Sequence, residues 1–243
     1  MVLLHGIGAS AMAWEPLAQA LAGQPVRVVA LDLLGFGDSP KPLWPDYAVD
    51  DHARSVIAAI KRQRLGAPAI LVGHSMGCLV AVRVARLRPD LVRYLVLYEM
   101  PLYAGLPKQR RYTVRRDMYF WIYQRIIDMP PPQPGLVDHS PALRRAITRL
   151  TGLDMDSRSW LPFVRSLQHT IIEQNTLQDI RQLRVPMDIV YGSLDVLVIR
   201  GRARRLFGPD SAHIATYTIT QQHRITQRAG RFLAHRILGG LKN

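Results

Sequence analysis

The segment Gly73-His74-Ser75-Met76-Gly77 carries the strongest chemical signal in the chain. Glycines two residues either side of a serine let the backbone turn sharply without side-chain clash. The apolar run Ala69-Ile70-Leu71-Val72 precedes this segment, and a helical pattern opens at Met76. A strand, turn and helix of this kind lift the serine hydroxyl off a sheet and set it at a helix N-terminus. There the free N–H groups and the helix dipole favour negative charge as it develops. The chemistry this predicts is attack by Ser75 on an electrophilic carbon.

A second glycine-rich turn, His5-Gly6-Ile7-Gly8, directly follows the apolar run Val2-Leu3-Leu4. It frees backbone N–H groups to face the same site. The N–H groups of Ile7 and Met76 are the expected oxyanion hole, with Gly8 as the alternative donor to Ile7. His5 is expected to orient the loop, and Trp14 to pack beneath it. A third turn, Asp32-Leu33-Leu34-Gly35-Phe36-Gly37-Asp38-Ser39, reads as structural, with Asp32 bonding loop N–H groups.

These turns need elements to hold them. Short β-rich runs fall at Val2–Leu4, Val26–Leu31, Ala69–Val72, Tyr94–Tyr98, Met187–Tyr191 and His213–Ile219. Helical patterns fill Met12–Leu21, Val49–Arg64, Met76–Arg88 and Thr226–Leu238. Such alternation predicts a parallel sheet with crossover helices. From about Pro101 to Leu183 no run reads as a strand, and helical patterns around Arg111–Ile127, Ala142–Thr151 and Phe163–Gln174 replace the alternation. The cluster Pro130-Pro131-Pro132-Gln133-Pro134 interrupts them, since proline cannot continue a helix. The stretch is too long for one crossover helix and is expected to be a helical cap.

In this order and spacing the three glycine-rich segments resemble the α/β-hydrolase family. The resemblance covers essentially the whole chain and is weakest in the cap. It implies an α/β fold: a mostly parallel sheet flanked by helices, with the cap inserted before the penultimate strand. The core would be residues 1–100 and 184–243, and the cap residues 101–183. It also implies a triad running serine, acid, histidine along the chain. The family places the acid in the loop after the strand that follows the cap, where Asp195 stands. Glu99 is the alternative, because some members carry the acid after the strand that here ends at Tyr98. The family places the histidine after the last strand, where His223 stands. His213 begins that strand and His235 lies in the last helix. Gln222 and Cys78 occupy positions where the family often has glycine.

The resemblance therefore implies a serine hydrolase acting on a carboxylic ester of a hydrophobic small molecule through an acyl-enzyme. It calls for no metal or organic cofactor. Tyr103, Tyr119, Trp121 and Trp160 of the cap are the expected substrate-binding residues, among aromatics that could wall an apolar pocket. Two alternatives stay open. Relatives with this triad cleave carbon–carbon bonds, open lactones or make peracids, and others are non-catalytic binding modules. Serine at position 75 argues against dehalogenase or epoxide hydrolase chemistry, for which the family has aspartate.

Composition sets outer limits. With 48% hydrophobic residues among 243, the chain can bury a large core. No apolar run reaches the roughly 18 residues of a membrane span, and no membrane contact is expected. The start Met1-Val2-Leu3-Leu4-His5 lacks the features of a secretion signal, so a cytoplasmic location is expected. A single cysteine excludes an internal disulfide framework and a cysteine-based structural zinc site. The net charge of +14 could attract an anionic partner, but the arginines are spread and no nucleic-acid-binding motif accompanies them. Family members usually have two strands before the one ending at His5. Their absence here would leave Val26–Leu31 as an apolar edge, prone to aggregation or edge-to-edge dimerisation until the chain is extended upstream.

Overall fold

A computed structural model describes residues 1–65, 68–102, 114–198, 207 and 211–240. Six parallel strands form one sheet: β1 (Val2–Leu4), β2 (Val29–Leu31), β3 (Ala69–His74), β4 (Val92–Tyr98), β5 (Met187–Gly192) and β6 (Ile214–Ile219). Their order is β2-β1-β3-β4-β5-β6. The chain leaves β1 for β2 on one side, then returns to place β3 on the other. A crevice opens at the carboxyl ends of strands where the order reverses, and ligands of open α/β sheets bind there.

Alternation along the strands divides the core into two layers. Val2, Leu4, Leu71, Leu95, Leu97, Met187 and Ile189 face α2 (Val49–Arg62) and α3 (Met76–Leu87). Leu3, Ile70, Val72, Val96, Tyr98 and Val190 face the other way, toward Leu17 of α1 (Glu15–Ala20) and Leu233 of the C-terminal helix Gln227–Gly240. The two faces explain why β1 and β3 read as unbroken apolar runs: a parallel strand covered on both sides needs both of its faces apolar.

Between β4 and β5 the described residues hold helices and no strand. These are α4 (Val114–Ile127), α5 (Leu136–His139), α6 (Pro141–Thr151), α7 (Trp160–Ser166) and α8 (Thr176–Gln182), with a π-helical turn at Leu167–Ile172. The C-terminal helix is α9. The α8 helix lies on the core: Arg83 of α3 bonds both Asp50 of α2, at 2.5 Å, and Asp179 of α8, at 3.0 Å. Farther out, Arg144 of α6 reaches Asp154 at 2.6 Å and Asp38, in the turn after β2, at 3.3 Å.

Several elements differ from the sequence expectation. The run Val26–Leu31 forms a strand only over Val29–Leu31, because β2 is the sheet edge and pairs solely with the three residues of β1. The pattern Met12–Leu21 splits into a 3₁₀ turn, Ala11–Trp14, and α1. Pro16 lacks an N–H, so it fits the first turn of a helix starting at Glu15 and not the interior of a longer one. The sequence reading had no helix at Thr176–Gln182 or Leu136–His139. No helix among the described residues is long and apolar enough to cross a membrane.

Candidate active site

Ser75 occupies the sharp turn between β3 and α3, with φ 51° and ψ −122°. A non-glycine residue at positive φ is strained, and the surroundings must hold it there. They do so through tight packing. A Cβ on Gly73 would lie 2.6 Å from Cα of Cys78 and from the carbonyl oxygen of Gly77. A Cβ on Gly77 would overlap the carbonyl oxygen of Leu4 and lie 2.6 Å from that of His5. The turn is pressed against the end of β1, so the glycines serve close approach at both positions. Gly77→Ala is expected to destabilise the protein by at least about 2 kcal/mol through overpacking. That is a fall of roughly 4–8 °C in the thermal midpoint, to be read by circular dichroism.

The glycine turn after β1 lies beside the elbow. A Cβ on Gly6 would approach Cβ of Ser75 to 3.1 Å. His5 is buried and accepts the Leu33 N–H at Nε2, 2.9 Å away, while its Nδ1 donates to the Gly6 carbonyl at 2.7 Å. Desolvation pushes its pKa down, which suits a ring that must accept at one nitrogen. Asp32 accepts the N–H groups of Ala11 (2.6 Å) and Asp38 (2.9 Å), which ties the turn after β2 to the one after β1. Gly8 has φ 68°, and a Cβ there would meet Met155 Sδ at 3.1 Å and Phe163 Cε2 at 3.2 Å. Side chains of the helical excursion thus roof this turn.

His223 lies in the loop after β6, and its Nδ1 bonds Asp195 Oδ2 at 2.7 Å. Asp195 follows β5 and is buried; its Oδ1 accepts the Leu197 N–H at 2.6 Å. Burial alone would raise the Asp195 carboxyl. Hydrogen bonds from His223, Glu99 and the Leu197 N–H, with the charge of His223, bring it down to about 2. Glu99 sits at the end of β4 with φ 53° and accepts the Gly192 N–H in a short hydrogen bond. The atoms of Glu99, Asp195 and His223 lie within 4.8 Å of one another, the one grouping among the described residues with spacing suited to a cation. Its oxygens already accept the Gly192 and Leu197 N–H groups and the imidazole.

Two residues to which the sequence assigns no such role hold the His223 loop. His74 Nε2 donates to the His223 carbonyl at 2.7 Å, and the two rings lie 4.9 Å apart. The Tyr98 hydroxyl bonds the carbonyls of Gln222 at 3.1 Å and Arg224 at 3.3 Å. Three successive carbonyls are therefore tied to the residues that end β3 and β4. Tyr98→Phe is expected to cut kcat/KM about three- to tenfold, the worth of one net hydrogen bond, with unchanged secondary structure. An unaltered kcat/KM would show that the clamp is redundant.

His52 and His74 are both buried, and their pKa values fall to about 3. Desolvation is the main cause; nearby His5 adds to it at His52, and His223 at His74. Unfolded, each histidine titrates near the ordinary value of 6.5. Between pH 6.5 and 3 the unfolded chain binds more protons, so the stability present above 6.5 drains away as pH falls. At pH 5 the loss is on the order of 2 kcal/mol per histidine. Thermal midpoints at pH 7 and 5, in wild type and His52→Gln, check this: the drop should shrink in the variant.

Of the expected substrate-binding residues, Trp160 stacks on Phe163 with ring centroids 5.9 Å apart, next to the Gly8 turn. Trp121 is 63% exposed, with the Arg125 guanidinium 5.7 Å from its ring centroid. Tyr103 and the side chain of Tyr119 lie outside the described residues.

Comparison with known proteins agrees with this fold. A family model described as the alpha/beta hydrolase fold matches residues 1–127. The chain is 37% identical over 97 residues to (E)-2-((N-methylformamido)methylene)succinate hydrolase of Acinetobacter baylyi, covering 40% of this chain and 36% of that protein. It is 36% identical over 99 residues to Lipase LipV of Mycobacterium tuberculosis, covering 41% and 36%. The chain spans about a quarter to a third of the length of the curated relatives it matches. A thioesterase domain from the curacin biosynthetic pathway superposes with TM-score 0.72 at 22% identity, over 98% of this chain and 90% of that one; this likeness speaks to the fold alone. With the sheet order, the glycine-packed turn at Ser75 and a family match over more than half its length, the chain belongs to the α/β-hydrolase fold family.

Proposed function

We propose that the chain is a serine hydrolase that cleaves a carboxylic ester of a hydrophobic small molecule through an acyl-enzyme. One observation carries this reading: an imidazole bonded at Nδ1 to a buried carboxylate, held by its own carbonyl to the residue preceding a strained serine. In this mechanism Asp195 fixes the His223 proton on Nδ1, which leaves Nε2 as the base. His223 removes the Ser75 proton as Oγ attacks the ester carbon. The N–H groups of Ile7 and Met76 receive the oxyanion. The intermediate collapses, the C–O bond to the alcohol breaks, and His223 returns the proton to the leaving oxygen. Water, deprotonated by His223, then releases the acid and restores Ser75. No step calls for a metal or an organic cofactor.

Residues 101–183 would act as a cap over the core formed by 1–100 and 184–243. Phe163, which roofs the Gly8 turn with Leu153 and Met155 and stacks on Trp160, supplies an apolar wall beside the oxyanion donors. That wall favours an apolar acyl chain. A fluorophosphonate should label Ser75 in the folded protein, and p-nitrophenyl esters should be turned over faster than lactones or the dienoate product of ring cleavage. Preference for the dienoate would move the reading to carbon–carbon cleavage. Failure to label Ser75 would leave a binding module.

A further inference from the structure

The mechanism above gives Glu99 no part, yet Glu99 is fully buried against the acid it employs. Its position is expensive. Glu99 holds a positive φ of 53° in a type of residue that rarely adopts it. The approach of Glu99 also restricts its neighbour, because a Cβ on Gly192 would overlap Glu99 Oε1 and the Gln221 carbonyl oxygen. Strain of this kind persists only where surrounding structure over-determines it.

Two buried carboxyl groups with oxygens within 4.8 Å of each other cannot both be ionised without strong repulsion, and a bond between them requires a proton on one. Asp195 is the worse holder of that proton, since it accepts the imidazole at 2.7 Å and the Leu197 N–H at 2.6 Å. Glu99 Oε1 accepts the Gly192 N–H. The titratable groups that face Glu99 include Cys78 of α3, Tyr98 of β4 and Tyr191 of β5. Burial pushes the thiol and both phenols toward their neutral forms. The chamber is built against charge, and an ionised Glu99 would be a second anion inside it.

We propose that Glu99 keeps its proton and donates it to Asp195, as a positioning residue that fixes the carboxylate orienting His223. The positioning role rests on the hydrolase reading; the site of the proton does not. With the proton in place, Asp195 has a donor on more than one side and cannot rotate away from the imidazole. Glu99 would then be a neutral brace, and the negative charge felt by His223 would come from Asp195 alone.

The chain has three glutamates, Glu15, Glu99 and Glu173, which makes a direct test practical. Glu15 and Glu173 are exposed. The whole chain would be labelled with carboxyl-¹³C glutamate and its three resonances followed by NMR from pH 4 to 8. The third, that of Glu99, should keep the shift of a protonated acid through pH 7. A third resonance at the carboxylate shift at pH 7 overturns the proposal. Glu15→Gln and Glu173→Gln assign the signals by elimination, so the result survives if changes at residue 99 prevent folding. Kinetics test the bracing role. Glu99→Gln keeps a neutral donor and should lose only a few-fold in kcat/KM, with the acid limb of its pH profile unmoved. Glu99→Ala should lose roughly 10- to 100-fold, as expected when a charged group loses a hydrogen bond. An acid limb displaced to lower pH in Glu99→Gln would mean that a negative charge had been removed, against the proposal. An inactive wild type would sink the hydrolase reading, and the ¹³C titration would still decide where the proton sits.

Discussion

Ser75→Ala is expected to reduce kcat for a p-nitrophenyl acyl ester roughly a million-fold, by analogy with other triads. The substitution removes Oγ alone. Alanine at φ 51° meets the same backbone strain as serine, and the glycines at 73 and 77 still provide the space for the turn. The fold should therefore survive, with unchanged circular dichroism and a thermal midpoint near that of wild type. KM should change little, since substrate still meets the apolar wall and the oxyanion donors. Residual turnover above the uncatalysed rate, by about 10³–10⁴, would report what those donors and binding contribute without the nucleophile. An alanine variant that retained ordinary esterase activity would end the acyl-enzyme mechanism.

The second large effect is predicted for Asp195→Asn, about 10⁴-fold in kcat. The geometry gives the reason. Asp195 Oδ1 accepts the Leu197 N–H at 2.6 Å and Oδ2 accepts His223 Nδ1 at 2.7 Å. An asparagine must present its oxygen to the Leu197 N–H, which only donates. Its NH₂ then faces Nδ1, which must become the acceptor. The imidazole proton moves to Nε2, the nitrogen required as base, and the ring can no longer take the Ser75 proton. The variant should remain folded and should react far more slowly with a fluorophosphonate. This experiment also separates the two candidate acids. Were Glu99 the group that orients His223, the same change at Asp195 would cost little.

Some of this site was legible from the chain alone because its signals are local. Gly73 and Gly77 stand two residues from Ser75, and a short apolar run beside a helical pattern announces strand, turn and helix. The same holds for the Gly6 turn and for the strands β1, β3 and β5, whose apolar character follows from burial on both faces. Boundaries were less legible. The length of β2 depends on what it pairs with, and nothing in Val26–Leu31 says that its partner strand has three residues. Asp195 and His223 were found through the family pattern, since an aspartate and a histidine on loops are ordinary by themselves.

The clamp on His223 was not legible at all. His74 is 149 residues from the carbonyl it holds, and Tyr98 is 124 and 126 residues from its two acceptors. Their acceptors are backbone oxygens, which every residue has, so no residue type marks the pairing. Likewise Glu99 reads in sequence as a rival acid to Asp195, and only the packing of β4 beside β5 puts both carboxyls in one buried chamber.

The sequence by itself determined the sheet, the two glycine turns and the serine at the elbow, because periodicity and glycine spacing act over a few residues and need no distant partner. Tertiary structure decided the rest: which carbonyls clamp the histidine, and that two acids meet beside it. Those contacts join residues far apart in the chain, and the hydrogen bonds involved become specific only when the sheet has brought the strand ends together.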